Sequence, residues 1–302
     1  MIAIYPLALA ADNRRNRMTN DISAKIEAMI PSFSKGQKRI AEAILKNYDR
    51  AAYMTAAKLG EMVGVSESTV VRFAIELGFD GYPELQKAVQ ELVRAKLTPN
   101  QRIEVTNLRM GNSDLLESVL CSDISKLKYT LENIDHAAFD GAVNDLLRAK
   151  TIYIIGVRSS ASLASFLNFN LSLIMDNVKF VQPTSSSEVF EQLLDIGEND
   201  AIVAISFPRY SSKIVHAVHY AQSRGATVIA LTDSAASPIA SDATHVLTAQ
   251  SDMVSFVDSL VAPLSIINAI LVAVTKKRQA EVKERFDRLE RVWDEYEIYA
   301  KQ

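Results

Sequence analysis

Two serine-rich stretches have residue types and spacing suited to chemistry. Gly156-Val157-Arg158-Ser159-Ser160 and Ser206-Phe207-Pro208-Arg209-Tyr210-Ser211-Ser212 each follow a short apolar run and precede a helical one. Hydroxyls, backbone N–H groups and the positive end of a helix brought to one place suit an anion, above all a phosphate, and Arg158 or Arg209 adds a charge-assisted contact. Thr184-Ser185-Ser186-Ser187 has the same texture. The competing structural reading makes Ser159 and Ser211 plain helix N-caps, a position that serine favours in any α/β protein. It explains one such loop more easily than three. The expected ligand group is therefore Ser159, Ser160, Ser206, Ser211 and Ser185, with Arg158, Arg209 and Tyr210, around a phosphorylated small molecule. His216 and His219 share a helical face, but with no further Cys or His beside them a solvated face is the better reading than a metal site. Nothing in the sequence calls for a cofactor.

A second constellation lies in Ala56 to Leu77. Leu59, Gly60 and Val63 give a first helix an apolar stripe with one small residue, Gly64 supplies a turn that needs positive φ, and Val65 fills the corner. Ser66 is a good N-cap for a second helix, whose Val70, Phe73 and Leu77 form a buried face. The opposite face offers Glu67, Ser68, Thr69 and Arg72 at the N-terminal end, where a recognition helix touches bases. Ser66, Glu67, Ser68, Thr69, Arg72 and Lys58 are thus the expected contacts to a double-stranded operator. An ordinary helical hairpin shares the glycine turn and serine cap, but not the small residue, the cap and both apolar registers together. Lys35, Lys38, Arg39 and Lys87 add positive charge that acidic neighbours nearly balance.

The elements that position these residues divide the chain into halves of different texture. Residues 1–20 are expected as a disordered arm, or residues 1–17 as an extension ahead of Met18. From Asp21 to Ala95 the spacing is helical throughout, so residues 21–97 form an all-α domain in which Asn47 to Tyr53 is a connection. Residues 98–113 lack periodicity and are expected as a linker. Residues 114–302 open with a helix from Asp114 to about Asp135. From Ala149 onward, short apolar runs at Thr151–Ile155, Lys179–Val181, Ala201–Ile205, Thr227–Leu231 and His245–Leu247 alternate with helical stretches. Strands that short and uninterruptedly apolar suit a parallel sheet covered on both faces. A flavodoxin-like strand order sets the two serine loops side by side, where chain order reverses.

The 302 residues suffice for two domains, and 48% hydrophobic with 23% charged residues is ordinary globular usage. A net charge of −3 gives no whole-chain attraction to nucleic acid, so any DNA contact has to be local. The lone Cys121 excludes an intramolecular disulfide framework. The apolar residues 2–11 precede Arg14, Arg15 and Arg17, the reverse of a secretory signal, and Leu260 to Val274 is shorter than the roughly 20 residues that span a bilayer. The expected setting is the cytoplasm, with no membrane contact. The same Leu260–Val274 helix and the striped tail ending near Tyr299 suggest a homodimer or homotetramer.

The chain resembles the RpiR family of bacterial regulators from about Ile30 to its C-terminus. The resemblance rests on Val65-Ser66-Glu67-Ser68-Thr69-Val70-Val71-Arg72-Phe73 and Leu77-Gly78-Phe79-Asp80-Gly81-Tyr82-Pro83-Glu84-Leu85 in the first half. In the second it rests on Ile155 to Ser160, Ile205 to Ser212 and Leu231-Thr232-Asp233-Ser234. It implies a helix-turn-helix joined to a three-layer α/β/α sugar isomerase (SIS) domain with five parallel strands, binding DNA under the control of phosphosugars or related metabolites. Two departures stand out. SIS phosphate loops usually read Ser-x-Ser-Gly-x-Thr, whereas Pro208 and Arg209 occupy the second Ser and the Gly positions, and Arg158 replaces a usual small residue. The same domain elsewhere is an aldose–ketose isomerase, which requires a base over the sugar. Here Thr248 to Ser255 offers only Asp252, His245 belongs to a strand and Glu188 sits on a helix, so a regulator is expected and an active isomerase is the alternative.

Overall fold

A computed structural model describes residues 22–96, 98–110, 114–182, 185, 187–253 and 255–299. The expected arm, together with Thr184 and Ser186, lies outside them. The main division into two compact units falls between Asn112 and Ser113.

The first unit is helical: α1 (Ile22–Met29), α2 (Lys35–Lys46), α3 (Tyr48–Ala51), α4 (Ala56–Val63), α5 (Glu67–Glu76), α6 (Tyr82–Lys96) and α7 (Pro99–Met110). Two expectations need correction. The connection from Asn47 to Tyr53 contains α3, and the aperiodic linker is largely α7, which packs against α3 and buries Arg102. The start of α7 is signalled locally: the Thr98 hydroxyl accepts from the Gln101 N–H at 3.4 Å, and the Gln101 side chain accepts from the Thr98 N–H at 2.9 Å. This reciprocal cap, with Pro99 at the first helical position, starts a helix even where apolar periodicity is weak.

The helix-turn-helix is set by close contact. Gly64 ends α4 in the left-handed region at φ 68°, and Ser66 caps α5 by accepting from the Thr69 N–H. A Cβ on Gly60 would lie 2.8 Å from the Val65 carbonyl oxygen. Only glycine lets the corner pass that near to α4. Helix α2 braces the turn: the Arg39 guanidinium donates to the Gly64 carbonyl at 3.0 Å, and the Gln37 amide donates to Glu76 at the far end of α5. Phe33 and Phe73 stack at 5.0 Å in the core between them.

In the second unit α8 (Leu115–Asn133) and α9 (His136–Arg148) precede a doubly covered sheet: β1 (Ile152–Gly156), α10 (Ser160–Ile174), β2 (Val178–Val181), α11 (Glu188–Gln192), β3 (Ala201–Ile205), α12 (Ser212–Ser223), β4 (Thr227–Thr232), β5 (His245–Thr248), α13 (Val261–Lys277) and α14 (Gln279–Glu295). All five strands are parallel, in the order β2-β1-β3-β4-β5. Side chains alternate between two buried layers. Ile152, Ile154, Val203, Ile205, Ile229 and Leu231 pack towards α9, α10 and α13, whereas Tyr153, Ile155, Ile202, Ala204, Val228 and Ala230 pack towards α11 and α12. The apolar run Leu260–Val274 is accordingly a core helix, with Ala262, Pro263, Ile266, Ile267, Ile270 and Val274 buried in its own unit. Among the described residues no helix is long and apolar enough to cross a membrane.

Replacing Gly60 by Ala should lower the stability of the first unit by about 1–2 kcal/mol, because the added methyl meets backbone and the expected overpacking outweighs the roughly 1 kcal/mol that alanine gains in a helix. Urea denaturation followed by helical circular dichroism reads this out, and an unchanged midpoint would show that the corner has room.

Candidate functional site

Helix α5 presents a polar, exposed N-terminal face. The Ser66 hydroxyl is shared among the Thr69 N–H at 3.3 Å, the Ser68 hydroxyl at 2.9 Å and the Thr69 hydroxyl at 2.9 Å. Ser66 and Thr69 therefore spend their polar atoms on building the helix start, while Glu67, Ser68 and Arg72 are exposed. Arg72 folds back so that its Nε donates to the Ser68 carbonyl at 3.3 Å, which leaves the remaining guanidinium N–H groups outward. Lys58 is exposed on α4. A further pair comes from α2: a Cβ on Gly36 would lie 3.3 Å from Val65 and 3.7 Å from Thr69. The N-terminus of α2, with exposed Lys35 and Lys38, thus lies beside that of α5. The capping box of Ser34 and Gln37 fixes this start and was legible as Ser-x-x-Gln in the sequence.

In the sheet, β1 connects outward to β2 on one side and β3 lies on the other, with Gly156 paired to Ile205 at the carboxyl ends. The loops after β1 and β3 therefore diverge from neighbouring strand ends, the crevice in which open α/β sheets bind ligands. A Cβ on Gly156 would lie 2.6 Å from the Ser160 carbonyl oxygen, so glycine lets the first turn of α10 sit against the end of β1. Ser206 is buried directly after β3 and Ser160 is buried as the first residue of α10, with Ser159 and Ser211 immediately ahead of the two helices. Neither Ser159 nor Ser211 caps its helix with its side chain. The cap reading thus fails for these two serines. Ser185 is engaged locally instead: its hydroxyl accepts from the Glu188 N–H at 3.3 Å while Glu188 accepts from the Ser185 N–H, ahead of α11, whose N-cap residue is Ser187.

Two backbone features single out the same loops. Arg158 and Arg209 have φ of 58° and 69°, the left-handed region that costs a non-glycine residue roughly 1–2 kcal/mol. Both are exposed, and among the described residues neither guanidinium has an ion-pair partner. Strain of this kind persists where function holds it. Arg209 takes the conformation that the usual glycine of the loop would supply. Beside it Tyr210 donates to Asp233 at 2.8 Å, and the Thr232 hydroxyl donates to the same oxygen at 3.2 Å. Asp233 is a further candidate that the serine loops did not single out; its signal is an acid directly after β4, the strand next to β3.

Of the candidate bases of an isomerase, His245 stands apart from the serine loops, and the carboxylates of Glu188 and Asp252 are engaged in local hydrogen bonds. His245 begins β5, at the amino edge of a parallel sheet whose serine loops leave the carboxyl edge; its Nε2 lies 2.7 Å from Asp145. Glu188 accepts from the Ser185 N–H at 3.3 Å, and Asp252 accepts from the Gln250 side chain at 2.7 Å. His219 pairs with Asp242 at 3.2 Å.

Residues 20–96 match the helix-turn-helix domain of the rpiR family, and residues 145–273 match the SIS domain. The chain belongs to the RpiR family. It is a helix-turn-helix transcriptional regulator with a SIS domain. Similar proteins span nearly the whole of this regulator. The HTH-type transcriptional regulator HexR of Pseudomonas aeruginosa is 26% identical over 275 residues, covering 88% of this chain and 93% of that protein. HexR of Escherichia coli is 27% identical over 278 residues, covering 88% and 91%. Both are regulators, not enzymes. The sugar isomerase domain of an RpiR transcription factor from Sphaerobacter thermophilus superposes with a TM-score of 0.56 at 28% identity, covering 59% of this chain and 98% of that one. The Vibrio vulnificus NanR protein complexed with ManNAc-6P superposes with a TM-score of 0.58 at 21% identity, covering 92% and 99%, which shows the shared fold.

Because glycine adopts the left-handed region without a Cβ penalty, Arg158→Gly and Arg209→Gly should each stabilise the second unit by about 0.5–1 kcal/mol. A melting temperature that falls in both variants would mean that the arginine side chains hold the loops rather than strain them.

Proposed function

We propose that this regulator binds a double-stranded, palindromic operator through the N-terminal face of α5 and adjusts that binding when a phosphosugar, or a related phosphorylated metabolite, occupies the loops after β1 and β3. The observation that carries the effector half is the pair of strand-end loops whose Ser159 and Ser211 hydroxyls do not cap their helices and whose two strained arginines have no ion-pair partner among the described residues. Ser206, Ser211, Ser159 and Ser160 are the proposed phosphate ligands, with the helix starts of α10 and α12 aligned behind them. Arg158 and Arg209 supply charge. Tyr210 fixes Asp233 at the edge of the same crevice, and Ser185 borders it. That the related NanR protein is complexed with ManNAc-6P supports a phosphorylated sugar as the ligand class. The proposed partner set is DNA, this effector and further copies of the chain, as a homodimer or homotetramer acting in the cytoplasm. Two copies match the two half-sites of a palindrome.

On the DNA side, Glu67, Ser68 and Arg72 are the proposed groove contacts, with Ser66 and Thr69 holding the helix start and Lys58, Lys35 and Lys38 at the phosphates. Arg72→Ala should weaken operator binding by about 1–3 kcal/mol if its free guanidinium face reads a guanine, and a gel-shift isotherm identical to the native one in a folded variant would remove Arg72 from the contact set.

On the effector side, thermal-shift screening against sugar phosphates finds the ligand, since binding to the native state raises its melting temperature. Ser206→Leu should then abolish the effector's influence on operator affinity, about five- to hundredfold in the native protein, while leaving effector-free DNA binding intact. Paired operator titrations with and without the effector measure this. A full response in Ser206→Leu would place the phosphate elsewhere.

A further inference from the structure

We infer that α8 is a self-complementary surface on which a second copy of this chain docks, helix against helix and antiparallel. The inference rests on the two-copy reading above and names its interface. Helix α8 packs on α13 through one face, where Lys126 and Thr130 are buried and the Lys126 ammonium is held by Ser122 and Asp123. A neighbouring face is apolar and uncovered: Leu116, Leu120, Ile124 and Leu131 are 70%, 53%, 64% and 71% exposed. At 3.6 residues per turn these four fall within a sector of about 80°, a continuous stripe along the helix. Isolated exposed leucines are ordinary, but an apolar stripe of this length marks an interaction surface.

The charges along that stripe select the partner. Glu117 and Lys128 are exposed, lie on the same flank of the stripe and stand about three turns apart; Lys128 also lies 3.9 Å from Glu132 on its own helix, a solvent-exposed pair too weak to commit it. In an antiparallel helix pair like flanks face each other, whereas in a parallel pair unlike flanks do. A twofold axis passing between Ser122 and Asp123 therefore sets Glu117 of each copy against Lys128 of the other, and brings Leu120 and Ile124 of both copies together at the centre. A twofold interface uses the same patch on both subunits, which is what this pattern provides. Because α8 by itself falls short of the roughly 800 Å² per partner of a stable interface, the neighbouring outer surface has to contribute. It is suited to do so. Helix α13 packs between α8 and α10 and exposes Val272, and α10 exposes Phe169.

Sedimentation equilibrium of the full chain tests this. The native protein should be a dimer or a higher even assembly at micromolar concentration. Ile124→Asp, at an exposed position that leaves the fold intact by thermal melt, should raise the dissociation constant at least about a hundredfold, as a buried unpaired charge would. Glu117→Lys and Lys128→Glu should each raise it about three- to tenfold by setting like charges opposite each other, and the double variant should return it to within about twofold of native. A dimer unmoved by Ile124→Asp, or a double reversal no better than the single ones, overturns the α8 pairing and leaves the DNA and effector reading standing. A chain that stays monomeric at tens of micromolar overturns both the pairing and the two-copy reading.

Discussion

The second unit depends on the burial of β1 and β3 on both faces at the middle of one parallel sheet. Every residue of Ile152–Gly156 and Ala201–Ile205 is buried, so each strand has to be covered above and below. Parallel neighbours cannot be joined by a tight turn, and their crossovers are the helices that provide this cover. From that requirement follow the two side-chain layers, the use of the apolar α13 as core, and the reversal of chain order between β1 and β3 that leaves a crevice at their carboxyl ends. Gly156 and the left-handed Arg158 and Arg209 are local solutions to turning the chain sharply at those ends.

The first unit rests on a comparable constraint of proximity. The corner after α4 passes so near to Gly60 that a methyl group would meet the Val65 carbonyl. Bringing α4 and α5 that close fixes the direction of α5, and α2 secures it from outside through Arg39 and Gln37. The face of α5 left over is polar, short and N-terminal. Recognition by such a face relies on rigid placement more than on net charge, in keeping with a chain whose overall charge is slightly negative.

Helices with strong caps and strands with uninterrupted apolar runs were legible in the sequence because their signals are local. The five strands, the α4–α5 unit and its Ser66 cap all lie close to where their residue types put them. Helix α7 was legible only through Thr98-Pro99-x-Gln101, a four-residue cap signal that a search for apolar periodicity passes over. Helix α9 carries both signals, the Asp135 cap and Phe139, Val143 and Leu146 at helical spacing. The candidate site residues divide along similar lines: serines after strands are visible as composition, whereas the Ser185 hydrogen bonds with Glu188 and the Tyr210 contact to Asp233 depend on partners that composition does not name.

By itself the sequence determined the two halves, the helix-turn-helix, the parallel sheet and the serine loops, since each is encoded by periodicity, caps and turn residues within about twenty positions. Only the tertiary structure decided which polar groups remain uncommitted and which apolar faces remain uncovered. It gave Leu260–Val274 to the core and left the stripe on α8 outside, and it released the Ser159 and Ser211 hydroxyls from capping while spending that of Ser185. The physical reason is that burial and hydrogen-bond satisfaction are pairwise properties: a side chain's role is settled by what lies against it, and for these residues that neighbour often comes from a distant part of the chain.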